Sequence, residues 1–196
     1  MHLPMARIDV DLKDDNIEEV GAANIHEVAV MTWGIPTAAF LQIHVLMSLI
    51  GIATGLVVLY GLLTARHLGG WTAPFLATTI LTSLTGFPLP PFGFDPARVL
   101  AVISLILLGL ATAALYVFNL KGAWRGIYVS CAVAALYLNV FVAVVQSFQK
   151  LSFLQPLAPT QSEPPFVLVQ LAVLAAFAAL GVLAAIRFHP EAQTGR

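Results

Sequence analysis

The chain has 196 residues, 59% of them hydrophobic and only 10% charged, with a formal net charge of -1 and a mean hydropathy of +0.90. Soluble domains carry about 25% charged residues, so this composition excludes a water-soluble globule and offers no basic surface for nucleic acid. Apolar runs of about 20 residues recur, each long enough to cross the roughly 30 Å hydrocarbon core as a helix, and the shorter alternating segments of a membrane β-barrel are absent.

The predicted fold class is therefore all-α, a transmembrane helical bundle of about five spans. Residues 1–36 form a polar N-terminal tail that holds seven of the ten acidic residues, Asp9, Asp11, Asp14, Asp15, Glu18, Glu19 and Glu27. It has too few apolar residues for a core, a short helix is expected around 17–30, and it lacks the basic start and apolar stretch of a secretory signal. Met31 is an alternative start codon, in which case the tail is an annotation artefact.

Span 1 is expected over residues 37–64, ending at the polar turn Arg66-His67-Leu68-Gly69-Gly70. Span 2, residues 71–87, is the shortest and stops at Pro88-Leu89-Pro90-Pro91, which cannot continue a helix, so its full crossing is open. Span 3 starts at Asp95-Pro96, an N-cap acid followed by proline at the first helical position, and runs to about 119. Span 4 covers 123–149. Span 5 covers 165–188, after a loop in which Ser162 or Glu163 can cap. The membrane domain is thus 37–188, followed by a C-terminal tail, 189–196. Cys131, the one cysteine, is expected to pack, and no internal repeat is visible.

Orientation follows from the basic residues flanking the spans. Arg66, Lys121, Arg125, Arg187 and Arg196 fall at one end of the bundle, against Arg98 and Lys150 at the other. The first end is expected to be cytoplasmic, with the N-terminus outside and the C-terminus inside. Tyr60, Trp71, Tyr116, Trp124 and Tyr128 are expected at that same boundary as interfacial aromatics.

Polar side chains inside spans carry the functional information, because an unpaired polar group in hydrocarbon costs several kcal/mol. His44 lies about 10 Å below the outer end of span 1, and Thr82 and Thr85 about 9 and 5 Å below that of span 2. Gln146 and Gln170 fall within about 6 Å of the outer ends of spans 4 and 5, while Asn139 is near mid-membrane. Residues three, four and seven apart share a helix face. His44, Ser48, Gly51 and Gly55 form one stripe, Thr78, Thr82 and Thr85 a second with Thr79 and Ser83 beside it, and Ala135, Asn139, Ala143 and Gln146 a third. The expected ligand-binding set is His44, Ser48, Thr78, Thr82, Thr85, Asn139, Gln146 and Gln170, lining a polar pocket that opens outward under the two proline-rich loops.

A structural account stands beside the functional one. Thr and Ser in membrane helices bond back to their own carbonyls, and Asn or Gln bridge helices. Gly51 and Gly55 are read as packing residues, serving contacts within the chain or a homo-oligomer. His44 is an intramembrane ionisable group and hence a functional candidate. No metal or other cofactor is expected. Haem or quinone at His44 is the alternative, although the other histidines fall outside the spans and a b-type haem needs two axial ligands, so haem requires a second copy or Met47. Asp95 and Glu163 are read as caps, and no hydrolase, metalloprotease or nucleotide motif is present.

The stretches Thr78-Thr79-Ile80-Leu81-Thr82-Ser83-Leu84-Thr85-Gly86-Phe87, Ala135-Leu136-Tyr137-Leu138-Asn139-Val140-Phe141-Val142 and Leu157-Ala158-Pro159-Thr160-Gln161-Ser162-Glu163-Pro164-Pro165-Phe166 resemble a group of small, uncharacterised bacterial inner-membrane proteins, over roughly residues 38–188. The resemblance implies a multi-pass inner-membrane location and no mechanism. The acidic tail lies outside it. The expected function is a non-enzymatic binding or accessory component for a small or lipid-like molecule in the lipid bilayer. The alternative is a membrane redox protein.

Overall fold

A computed structural model describes residues 31–90 and 95–189; the helix expected around 17–30 and the end of the C-terminal tail lie outside them. Five α-helices account for most of the described residues: α1 (Thr37–Leu63), α2 (Gly69–Thr85), α3 (Pro96–Thr112), α4 (Ala123–Lys150) and α5 (Pro164–Arg187). The all-α bundle expected from composition is what the chain forms. Four helices, with α3 extended to Val117, are long and apolar enough to cross a membrane. α2 has 17 residues, about 25 Å of helix, short of a roughly 30 Å core.

Each helix end has a local cause. Before α1, the end of the stretch read as a polar tail forms a hairpin, β1 (Met31–Thr32) pairing antiparallel with β2 (Ile35–Pro36). Its turn residues Trp33 and Gly34 have φ of 53° and 78°, the left-handed pair that a tight two-residue hairpin needs. The Trp33 ring then meets Phe40 edge-on at 5.9 Å. α1 ends where Ala65 turns left-handed (φ 56°) and Arg66 N–H donates to Gly61 O at 2.8 Å. α3 begins as expected, with Arg98 N–H donating to the Asp95 carboxylate at 3.1 Å and Pro96 at the first position. It closes in a π-helical turn, Ala113–Val117.

Glu163 departs from expectation. It sits at the N-cap position of α5, but its side chain makes no capping bond to the helix. It turns back into the loop, accepting from Thr160 N–H and Ser162 N–H at 3.1 Å each and from the Thr160 hydroxyl at 2.8 Å. Slight desolvation pushes its pKa up, but the bonds from Thr160 and the loop N–H groups outweigh it and hold the carboxyl below its ordinary value. A depressed carboxylate contributes stability above its unfolded pKa and loses it as pH falls through the folded one. Proteolysis of the 151–163 loop is therefore expected to accelerate as pH falls below the ordinary carboxylate value of 4.5, and Glu163→Gln to remove that dependence.

α1 and α4 are the central helices. α1 packs on α2, α4 and α5, and α4 also packs on α3 and α5. The apolar core occupies the half nearer the basic end, where Val58, Leu59 and Leu62 meet Phe75, Leu76, Leu108, Ala111 and Ala132. Tyr60, Trp71 and Tyr116 are exposed there, as an interfacial belt requires, but Tyr128 is not part of it. It is fully buried against Phe188, with ring centroids 6.1 Å apart, because its face of the central helix is covered on all sides. Arg125 locks the same end, donating to Phe188 O at 3.0 Å across α4 and α5. At the other end Arg98 bonds Asp95 at 2.7 Å and donates to Leu89 O at 3.0 Å, tying the proline-rich α2–α3 loop to the start of α3.

Candidate functional site

The half of the bundle away from the apolar core holds the polar face of α1. His44 Nδ1 lies 2.9 Å from Thr85 Oγ1, joining α1 to the end of α2. That threonine hydroxyl donates its one hydrogen to Leu81 O at 2.7 Å, with Thr82 O at 3.2 Å. A hydroxyl has a single hydrogen; with that hydrogen on Leu81 O, Thr85 accepts from His44 in the tautomer that carries its proton on Nδ1. Nε2 is left with a lone pair and no hydrogen-bond partner among the described residues. The ring is half-buried, beside Gly86, where an added Cβ would lie 3.6 Å from His44 Cε1.

One turn further along α1, Ser48 Oγ donates to Asn139 Oδ1 at 2.7 Å, and Asn139 Nδ2 donates back to Ser48 O at 3.4 Å. Asn139 is 8% exposed, on the central helix α4. Gly51 follows. A Cβ there would meet Thr79 Oγ1 at 3.0 Å, Asn139 Nδ2 at 3.1 Å and Thr78 Oγ1 at 3.3 Å, so its missing side chain is what lets three polar side chains approach. Gly55 admits Leu136 and Phe75 in the same way. Both glycines are thus packed against α2 and α4 of their own chain.

The expected polar set divides. His44, Ser48, Thr85 and Asn139 are joined pairwise, and Thr78 stands beside Gly51 while its hydroxyl bonds back to Pro74 O at 2.8 Å. Thr82 Oγ1 is buried without a partner. Gln146 is exposed and outside the cluster. Gln170 is buried elsewhere, bridging α5 to α4 through Phe141 O at 3.3 Å, with its Oε1 unpaired. On α2 the most buried polar stripe is Thr72, Thr79 and Ser83, at 1%, 2% and 8% exposure, rather than Thr78, Thr82 and Thr85. The spacing of seven and four between those residues is the signal that would have identified it.

His44, Ser48, Thr85 and Asn139 are thus bonded largely to one another across the helices. Two cavities of about 340 Å³ each lie away from these residues: one is apolar, between α4 and α5 around Tyr137 and Phe177, and the other sits under the α4–α5 loop. Thr79 Oγ1 is buried with no partner. Replacing an unsatisfied hydroxyl by an isosteric methyl removes its desolvation cost, so Thr79→Val is expected to hold or raise thermal stability in detergent by about 1 kcal/mol. A loss of similar size would show that the hydroxyl has a bound partner.

Among the described residues no group of three or more His, Cys, Asp or Glu could hold a metal ion. Fold and cluster together define a polytopic α-helical membrane protein whose polar side chains join three helices in one half of the bundle. No family model, curated protein or solved structure matches the chain.

Proposed function

We propose that this chain is a bacterial inner-membrane binding or accessory protein that holds a small or lipid-like molecule at His44. The unpaired Nε2 of His44 carries the reading. In the tautomer whose Nδ1–H donates to Thr85, Nε2 presents a lone pair at membrane depth, which matches a ligand that brings its own donor, such as a hydroxyl or N–H group. Ser48, Thr78 and Asn139 join and position the helices around it. The N-terminus faces outward and the C-terminus the cytoplasm, a topology supported by Arg66, Lys121, Arg125 and Arg187 at one end of the spans.

The same atom supports a narrower redox alternative. A quinol hydroxyl can donate to Nε2, whereas a quinone carbonyl meets a lone pair there and is not matched. Bis-histidine haem does not fit a single chain, because the other described histidines, His67 and His189, are at the opposite ends of α1 and α5 from the His44 cluster, which leaves Met47 or a second copy as the other ligand. Solvent extraction and mass spectrometry of the purified full chain is the test. A co-purifying molecule is expected, depleted roughly tenfold in His44→Ala, about 1.4 kcal/mol of binding. Equal amounts in both proteins would overturn the assignment, and a Soret band would exclude the haem-free reading.

A further inference from the structure

The loop joining α4 to α5 is internally bonded. Leu154 N–H and Gln155 N–H both donate to Leu151 O at 2.9 Å, Leu157 N–H donates to Leu154 O at 2.9 Å, and Gln155–Leu157 form a 3-10 turn. Pro156 and Pro159 fix their own φ angles, Gln161 is held left-handed at φ 60°, and the Glu163 carboxylate gathers the Thr160 and Ser162 N–H groups. Ala158 turns inward and is 2% exposed. Between this loop and the last turn of α4 is a cavity of about 340 Å³, at the lower end of the roughly 300–1,000 Å³ that small-molecule sites occupy.

No charged side chain lines it. Its polar walls come from Thr160, whose N–H and hydroxyl are held by Glu163, and from three glutamines, Gln149 at the end of α4, Gln155 in the 3-10 turn and Gln161 in the left-handed turn. Each glutamine brings one acceptor and two donors, and none of the three side chains has a hydrogen-bond partner among the described residues. The apolar part comes from Phe148, held edge-on to Phe166 at 5.4 Å, with Ala158 and Pro159. An anion would find no cation in these walls and an ammonium no carboxylate, so an ionised ligand would be desolvated without compensation. Hydroxyl groups both donate and accept, and carboxamides answer both roles. A ring with hydroxyls around its edge and C–H groups on its face meets amides at the rim and the exposed Pro159 ring beside them. A volume of about 340 Å³ suits one ring rather than an extended peptide.

We infer that this cavity binds a neutral sugar ring at the membrane surface, either free or as the headgroup of a glycolipid. It is independent of the His44 cluster, none of whose members lines it.

Saturation-transfer NMR on the full chain in phosphatidylcholine nanodiscs, with methyl α-D-glucopyranoside as probe, tests it. Transfer to the ring protons is expected, falling roughly fivefold in the Gln155→Ala/Gln161→Ala double variant and by about half that factor in Gln149→Ala, each variant removing a pairing to a ligand hydroxyl. Helical circular dichroism should be unchanged, since the substituted side chains are at the surface, and His44→Ala should bind the probe like the parent. Glucosyl diacylglycerol added to the nanodiscs distinguishes the sources: competition assigns the headgroup, and its absence assigns the free sugar. No transfer in the parent, or equal transfer in all three glutamine variants, overturns the proposal.

Discussion

Gly55→Leu is expected to destroy the packed bundle while leaving its helices in place. A Cβ at Gly55 would stand 2.6 Å from Leu136 Cδ1 and 2.8 Å from Phe75 Cε2, and neither neighbour has room to retreat, being 2% and 1% exposed. Alanine alone is expected to cost about 1–3 kcal/mol by overpacking. A leucine would have to force α2 or α4 away from α1, and those contacts hold the polar cluster as well as the core. Helix formation in a membrane does not depend on helix association, so circular dichroism should stay helical while size-exclusion chromatography after mild heating loses the monodisperse peak. Gly109 is the control. It lies inside α3 with nothing within 4 Å of an added Cβ, and Gly109→Ala is expected to gain about 0.8–1 kcal/mol from helix propensity. Equal behaviour of Gly55→Ala and Gly109→Ala would contradict the close approach at Gly55.

Asn139→Leu should be the most costly polar replacement. It removes both bonds between α4 and Ser48, leaving the Ser48 hydroxyl and carbonyl to find new partners at membrane depth. Side-chain hydrogen bonds between membrane helices are worth about 0.6 kcal/mol on average and up to about 1.7, and the orphaned hydroxyl adds its desolvation cost. A total of about 1–3 kcal/mol is expected by reversible unfolding in mixed micelles. A double-mutant cycle with Ser48→Ala and Asn139→Ala isolates the pair, with a coupling of about 0.6–1.7 kcal/mol expected. A coupling near zero would mean that the two side chains do not share the contact.

Much of the helix layout is legible from residue order. Asp95-Pro96 marks the start of α3 because a carboxylate that accepts from the third residue and a ring locked near helical φ both favour that position. The close packing of α1 is legible too, since Gly51 and Gly55 lie one turn apart. The partners of each polar residue are less accessible. His44, Ser48 and Asn139 were placed on the right faces by helical periodicity, whereas Gln146, on the same periodic stripe as Asn139, ends exposed, and Gln170 turns to a different neighbour. Periodicity defines a face, but a face a few turns long spans regions with and without a neighbouring helix. The same limit misplaced Tyr128, whose depth suggested an interfacial aromatic but whose side of α4 is enclosed.

The sequence by itself determined that this chain is helical and membrane-embedded, where its helices begin and end, and which half of the bundle is polar. These follow from local terms: about 20 apolar residues cross a bilayer, and proline, glycine and capping side chains act within a turn of where they stand. Only the tertiary structure decided that the polar face closes on itself through Thr85 and Asn139, and that Gln149, Gln155 and Gln161 line one cavity. Those outcomes depend on which helix comes to lie against which, and hydropathy carries no term for that choice between apolar surfaces of equal affinity for lipid.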